Sequence, residues 1–379
     1  MAKRGNGEGS IYPVRGQDGK VKGYRAAYII HTAKGPRRRY LSGKRREDVR
    51  DKLAKALSDR VEGIVADAGA LTVGEYLDRW LEDVKDTVRG STHERHDQLV
   101  RLHIRPALGR VKLKNLTAAQ VRWLYRERLD SGLAAATVHK AHVVLHKALK
   151  AAVSDGLIPR NVAAGLKLPK LSREEIDPLN REEARRLLEA AKGERLEALY
   201  MLALNTGMRL GELLALNWDD VDLEGEVLRV RRTLTRAGKV YTTGEPKTRN
   251  SRRVIRLTGA AVEALRGPLP RQLEEMGRMG SLYQPGGLVF ATEVGTIVNP
   301  SNVRNRSLKP LLKKAGLRPV RFHDLRHTCA TLLLLKNVNP KIVSELLGHA
   351  SVSITLDVYS HLMPDMQEKA ARALEEALS

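Results

Sequence analysis

The sequence predicts a mainly α-helical protein with small β-sheets, divided into three domains. Three observations carry this. A chain of 379 residues is longer than one hydrophobic core usually organises. Apolar residues recur at helical spacing over most of its length, and several such stretches open on a Thr or Asn followed three residues later by Glu or Gln. Strand-like alternation is confined to the N-terminal region and to the stretch 226–257.

Residues 1–62 predict a small β-sheet with one helix. Asp18-Gly19, within SIYPVRGQDGKVKGYRAAYII, is a hairpin signal, because both residues tolerate the positive φ of a tight turn. RRRYLSG (37–43) supplies a third strand, and REDVRDKLAKALSDRV (46–61) a helix. The module holds 17 Lys/Arg against 7 Asp/Glu, and cations clustered on strands point to a DNA-contacting face. GNGEGS (5–10) follows no strand and lacks G-x-G-x-x-G spacing, so it reads as a flexible terminus. GIVADAGA (63–70) reads as a linker.

Residues 71–170 read as a helical domain. Thr72 and Glu75 form a capping box, and Leu77, Trp80, Leu81 and Val84 make one apolar face. Thr117 and Gln120 repeat the box before VRWLYRERL, and Ala134 to Ser154 is a third helix. Trp80 and Trp123 are expected in its core. LKLPKLSREEIDP (166–178) is a charged, proline-bearing linker.

Residues 177–379 predict a mostly helical domain with an embedded three-stranded sheet. Asn180 and Glu183 cap a helix, and the helical period runs through 180–222. EVLRVRRTL, KVYTT and RRVIRL alternate as three short strands, and helices return from Thr258. In NVNPKIVSELLGH, Asn339 caps, Pro340 opens and Gly348 stops a helix. The final DMQEKAARALEEALS is amphipathic, suited to packing in its own domain or to docking on a neighbouring protomer.

A net charge of +23 points to a polyanionic partner, nucleic acid first. The charge is spread along the chain and not gathered on one amphipathic helix, which argues against a membrane surface. No signal peptide is expected, since MAKRGNGEGS is polar and no apolar stretch follows it. The apolar run after Thr331 is too short to span a bilayer. Cys329 is the only cysteine, so no disulfide framework or cysteine metal site is expected, and a reducing cytoplasmic setting fits.

Four segments of the last domain concentrate chemistry-bearing residues. NTGMRLGELLALNWDDVD (205–222) places Arg209 near a helix start. GEPKTRNSRRVIRL (244–257) places Lys247 at a turn between strands. FHDLRHTCATLLL (322–334) carries His323, Arg326 and His327. LLGHASVSITLDVYSHL (346–362) carries His349 and Tyr359. Cleaving a phosphodiester through a covalent intermediate needs this kind of set. Fixed cations must hold the charge that develops on the non-bridging oxygens, and arginine grips two oxygens at once. The leaving alkoxide needs a proton from lysine or histidine. A side-chain nucleophile stores the bond energy, and cations around a tyrosine favour its phenolate.

TGMRLGELLALNWDDVD, PKTRNSRR, HDLRHTCAT and LLGHASVSITLDVY together resemble the signature segments of tyrosine recombinases, the phage-integrase family. The likeness is strong over 180–365, covers 71–170 as the family's core-binding domain, and extends loosely to 1–62 as an arm-type DNA-binding domain. It implies a three-domain DNA clamp closed by 71–170 and 177–379. It implies a site-specific integrase or excisionase of a phage or other mobile element. It implies that Tyr359 attacks the scissile phosphate, forming a 3′-phosphotyrosyl link and freeing a 5′-hydroxyl. Arg209 and Arg326 would hold the non-bridging oxygens, Lys247 would protonate the 5′-oxygen, His323 would accept the Tyr359 proton, and His349 would donate a hydrogen bond to the phosphate. Glu212, one turn from Arg209, would orient the site. The resemblance implies no metal, cofactor or ATP. Its partners are double-stranded DNA at attachment sites and three further copies of the chain, with DNA-bending or directionality proteins as candidate accessories. It places the protein in the cytoplasm of a bacterial cell, on DNA. Binding should weaken steeply with salt as phosphate contacts displace counterions.

Other readings of the same residues are weaker. His361 has no family support and reads as surface or core, and His327 reads as a packing or hydrogen-bonding residue. His323 and His327 mimic a helical zinc pair, but no third ligand is evident. DDVDLEGE (219–226) resembles an EF-hand loop beginning at Asp220, yet the twelfth position of that loop is Arg231, where a bidentate Glu is needed, so calcium is rejected. Rival functions are a type IB-like topoisomerase, which the N-terminal module argues against; a metal-dependent transposase, whose carboxylate triad is missing; and a DNA-binding regulator, which leaves the ordered Arg, Lys, His and Tyr set unexplained.

Overall fold

A computed structural model of the chain describes residues 10–17, 19–32, 35–61, 70–171, 177–238, 240–246, 251–359, 374–376 and 378. Asp18, Lys247, His361, most of the 63–70 linker and nearly all of the final amphipathic stretch lie outside the described residues. The fold is mainly helical with small antiparallel sheets, and the chain divides into two compact units, Met1–Ser172 and Arg173–Ser379.

The first unit opens with β1 (Ser10–Arg15), β2 (Val21–Thr32) and β3 (Gly35–Gly43), antiparallel in the order β1-β2-β3, followed by α1 (Arg46–Val61). Gly19 has φ 75°, the left-handed conformation that the hairpin turn demands. Ala26 and the α1 residues Val49 and Leu53 form a small core. Arg25 stacks over the exposed Tyr40 ring, leaving an aromatic and cationic face in water.

A separate core gathers α2 (Val73–Val84), α3 (Gly90–Leu99), α4 (Arg105–Leu108), α5 (Ala118–Asp130) and α6 (Ala135–Ser154). Both predicted capping boxes form: Thr72 and Glu75 satisfy each other's backbone N–H groups, as do Thr117 and Gln120. Leu77, Ile104, Leu108, Leu124, Leu145 and Leu149 are fully buried, and Trp80 stacks on His96 with ring centroids 5.6 Å apart.

Trp123 departs from the expectation and is 55% exposed. On α5 the buried positions are Val121, Leu124 and Tyr125, and a residue two places after Val121 points about 200° away from it around a helix. Trp80→Ala is therefore expected to cost about 3–5 kcal/mol. Trp123→Ala should stay within about 0.5 kcal/mol of the parent. Urea unfolding followed by circular dichroism measures both.

The second unit carries α7 (Arg181–Ala191), α8 (Glu197–Thr206), α9 (Leu210–Leu213), β4 (Val221–Asp222), β5 (Val227–Val230), β6 (Thr233–Ala237), β7 (Val240–Gly244) and β8 (Arg253–Arg256). It continues through α10 (Gly259–Arg266), α11 (Pro268–Met279), α12 (Pro300–Asn302), α13 (Lys309–Lys314), α14 (Phe322–Leu335), α15 (Pro340–Leu347) and α16 (Val352–Tyr359). One core joins the helices to the sheet through residues such as Leu199, Leu202, Leu213, Leu228, Ile255 and Leu265.

Two details differ from the sequence expectation. The helical reading of 180–222 runs too far, since the chain leaves the helix after Leu213 and enters β4 at Val221. The strands form two sheets rather than one: β4-β5-β8 is three-stranded, and β6-β7 is a separate hairpin. EVLRVRRTL breaks at Arg231-Arg232 because both guanidiniums turn back to Asp220, Arg232 at 2.6 Å and Arg231 at 3.4 Å. The Asp220 carboxylate is buried, so it needs that compensation.

Candidate active site

Each candidate side chain in the second unit is held by a local backbone device. Helix α8 ends at Gly207, φ 60°, and the chain turns so that Arg209 becomes the N-cap of α9. A Cβ at Gly207 would meet the buried Leu347 side chain at 2.4 Å, so the close approach of α8 to α15 requires glycine. Helix α15 ends at Gly348, φ 66°, as predicted. The Gly348 N–H donates to Glu345 O at 3.0 Å and the His349 N–H to Ser344 O at 3.0 Å, a Schellman corner. That corner presents His349 from a rigid helix end. His323, Arg326 and His327 lie along the first two turns of α14, and Tyr359 closes α16.

These elements converge. Glu212 is 2% exposed and ties the arginines together. Its carboxylate accepts the Arg209 N–H at 3.1 Å, Arg209 Nη1 at 2.7 Å and Arg253 Nη2 at 2.9 Å. Arg209 Nη2 reaches Gly348 O at 3.4 Å, and Arg253 Nε donates to Leu346 O at 2.5 Å. The same network therefore fixes Arg209 and the end of α15. Burial by itself would raise the Glu212 carboxyl, but Arg253 and then Arg209 outweigh it and hold the group below the usual carboxylate range.

Removing this carboxylate strands two cations. Glu212→Ala is expected to cost about 3–5 kcal/mol, read by urea unfolding at neutral pH. Because the folded carboxyl titrates lower than the unfolded one, its contribution is complete above the ordinary carboxyl range. It is lost as pH falls through the folded value, so the gap between parent and Glu212→Ala should shrink in acid.

Arg326 is 3% exposed. Its Nη1 donates to Gly207 O at 2.8 Å, and its Nη2 has no hydrogen-bond partner among the described residues. Burial, then the neighbouring Arg209 charge, pull the guanidinium down to about 9, so it remains charged at neutral pH. A buried cation with one unmatched donor is suited to an anion.

His349 Nδ1 lies 2.8 Å from the Thr355 hydroxyl, which is fully buried and locks the ring. Burial, then Arg326 and Arg209, push His349 down to about 4, and the same causes in the same order lower His323. Both imidazoles are neutral at pH 7.

Tyr359 is 2% exposed and packs on Ala330, Leu334, Val343 and Leu347. Its hydroxyl lies 2.6 Å from His327 Nδ1. The contact expected of His323 is thus made by His327. His323 sits behind, edge-on to the His327 ring with centroids 5.0 Å apart. The reason is packing: the apolar pocket for the tyrosine ring is built from Ala330 and Leu334, so its hydroxyl meets α14 one turn beyond His323. Burial raises the phenol well above its ordinary value, with the Arg326 charge acting the other way.

The structure brings together Arg209, Glu212, His323, Arg326, His349 and Tyr359 from the predicted set, while Lys247 falls outside the described residues. It adds His327, Arg253, Thr355 and Gly207. Arg253 had a signal: on β8 it shares a face with the buried Ile255, and an inward arginine needs a carboxylate. Among the described residues no group of three or more His, Cys, Asp or Glu side chains could hold a metal ion, and no helix is long and apolar enough to cross a membrane.

Comparison with known proteins places the chain in a family. Residues 178–366 match the phage integrase family, and residues 72–128 match the phage integrase N-terminal SAM-like domain. A tyrosine recombinase XerC-like protein of Caldanaerobacter subterraneus subsp. tengcongensis is 32% identical over 359 residues, covering 89% of this chain and 92% of the relative. An integrase of Saccharopolyspora erythraea is 27% identical across 97% of this chain and 96% of its own. In fold, the chain resembles the Tn1549 transposon integrase in complex with a circular intermediate DNA, with TM-score 0.67 and 22% identity over 82% of this chain and 100% of that one. It also resembles a λ integrase dimer bound to a COC′ core site, with TM-score 0.59 and 20% identity over 94% of this chain and 96% of that one. With one relative this similar over nine-tenths of the sequence, the chain belongs to the phage integrase family and is a tyrosine recombinase, an enzyme that recombines DNA at specific sites through a tyrosine intermediate.

Proposed function

We propose that Tyr359 is the nucleophile of this recombinase and that Arg209 and Arg326 hold the scissile phosphate. The observation that carries the reading is the unmatched Nη2 of the buried Arg326, in the pocket that also gathers Arg209, His349 and the Tyr359 hydroxyl. Charge grows on the non-bridging oxygens as the tyrosine oxygen attacks, and two fixed guanidiniums meet it without reorganising. His349, its ring locked by Thr355, donates a hydrogen bond to the same phosphate. The phenol proton passes to the imidazole pair His323–His327. Lys247, in the segment between β7 and β8, protonates the departing 5′-oxygen. The 3′-phosphotyrosyl bond keeps the energy of the broken DNA bond, so rejoining needs neither ATP nor metal.

Domain roles follow the order of the chain. Residues 1–62 contact arm-type DNA through their cationic and aromatic sheet, 71–170 bind the core site, and 177–379 carry the chemistry. Two protomers occupy each site and four act on a pair of duplexes, with DNA-bending or directionality proteins assisting. The element moved is a phage genome or another mobile element, integrated or excised. The test is incubation of the full chain, in EDTA, with a nicked duplex carrying the element's junction sequence. A covalent protein–DNA band on a denaturing gel is expected. Tight, footprinted binding without that band would instead favour a DNA-binding regulator.

A further inference from the structure

We propose that His327, and not His323, takes the proton from Tyr359 as the tyrosine attacks DNA, an assignment that rests on the reading of Tyr359 as nucleophile. His327 is the one side chain hydrogen-bonded to the Tyr359 hydroxyl among the described residues, with Nδ1 at 2.6 Å. Both rings are walled in, Tyr359 at 2% exposure and His327 half-buried beside it, with centroids 5.8 Å apart. General-base catalysis needs this reach, and His323 makes no such contact.

The electrostatics fit a base that waits for substrate. Burial, then the neighbouring His323, hold His327 down to about 4, so the imidazole is neutral at pH 7 and able to accept. The groups facing it are His323, Asp324 and Arg326 from α14, Arg321 from the N-cap of that helix, Tyr359 from α16, and His349 from the corner after α15. A phosphodiester seated on Arg209 and Arg326 adds negative charge to this pocket, which favours the imidazolium and so strengthens the base as the reaction needs it.

The step balances. The tyrosine oxygen forms a bond to phosphorus as its O–H bond breaks and the proton moves to His327 Nδ1. The bond from phosphorus to the 5′-oxygen breaks, and that oxygen takes a proton from Lys247. In rejoining, a 5′-hydroxyl gives its proton to Lys247 as its oxygen bonds to phosphorus, the bond from phosphorus to the Tyr359 oxygen breaks, and His327 returns its proton to that oxygen.

The test is single-turnover cleavage of the nicked duplex by the full chain and by His327→Asn, His327→Ala, His323→Asn and Tyr359→Phe, with DNA binding measured in parallel. His327→Asn keeps a polar atom near Nδ1 but loses its basicity. Both His327 variants are expected to slow cleavage by about 10²-fold or more while still binding DNA. The residual rate of His327→Asn should climb with pH where the parent is flat, because hydroxide replaces the missing base. Added imidazole should restore part of the His327→Ala rate, and His323→Asn should be the milder change. Parent-like cleavage by His327→Asn beside an inert Tyr359→Phe would overturn the assignment. A covalent adduct surviving in Tyr359→Phe would remove the nucleophile reading and this one with it. A measurement without variants uses the parent chain labelled with ¹⁵N-histidine. An unprotonated Nδ1 on His327 is expected, and a protonated Nδ1, which could only donate to the phenol, would overturn the proposal.

Discussion

Tyr359→Phe is expected to bind DNA as the parent does and to form no covalent adduct at all. The substitution keeps the ring that fills the pocket of Ala330, Leu334, Val343 and Leu347 and deletes only the oxygen. The fold loses one hydrogen bond, to His327, worth about 1 kcal/mol. The chemistry loses its nucleophile, and no neighbouring group replaces it: His327 sits at the same spot but a phosphohistidine link would need the imidazole to reach past the missing hydroxyl. Denaturing gels read the adduct, and a filter-binding or anisotropy titration run beside them reads the affinity. Loss of adduct together with loss of binding would mean that the hydroxyl serves the fold or the DNA contact rather than the chemistry.

Arg326→Ala is the second large effect. Cleavage is expected to fall by about 10²–10³-fold, the usual consequence of deleting one fixed donor to a developing oxyanion. Arg326→Lys should rescue little, since an ammonium on a flexible stem lacks the rigid planar fork that lets one guanidinium hold the Gly207 carbonyl and keep a second donor fixed for phosphate. The loss of rate is expected without a matching loss of stability. Burial and the Arg209 charge pull the folded Arg326 down to about 9, below its unfolded value, so the charged guanidinium opposes folding throughout the range below about 9. Replacing it relieves that opposition while leaving a cavity and an unpaired carbonyl, two terms of opposite sign. Thermal melts of Arg326→Ala and Glu212→Ala should therefore separate. The first should stay near the parent, whereas the second loses a carboxylate between two cations and should drop.

The contrast between these two residues shows which parts of the site could be read along the chain. Glu212 and Arg209 are three apart, and the capping geometry that joins them is local. The same holds for Thr72 with Glu75, Thr117 with Gln120, Asn180 with Glu183, and the Gly348 corner that delivers His349. Each is decided by side chains within one turn, so the sequence states it directly. The order of Arg209, His323, Arg326, His349 and Tyr359 was likewise legible, through its likeness to a family.

What escaped was decided across the fold. His323 and His327 share a helix face, and only the position of the Tyr359 ring in its apolar pocket selects between them. Trp123 was expected inside because tryptophan usually is, yet its angle on α5 points it outward. EVLRVRRTL reads as one strand only if the adjacent Arg231-Arg232 is passed over, and in the fold both guanidiniums pair with the buried Asp220 where β5 gives way to β6. For the histidines and for the strand a partner outside the local turn decides the outcome, whereas Trp123 is turned outward by the phase of its own helix.

The measurement that tests the proposed chemistry most directly is peptide mapping of the trapped adduct. The full chain is reacted with the nicked duplex, digested with nuclease and protease, and the nucleotide-bearing peptide is sequenced by mass spectrometry. A 3′-phosphate on the peptide that contains Tyr359, with a free 5′-hydroxyl on the released strand, is the predicted result. A nucleotide on any other side chain, or a linkage through the 5′-phosphate, would contradict it.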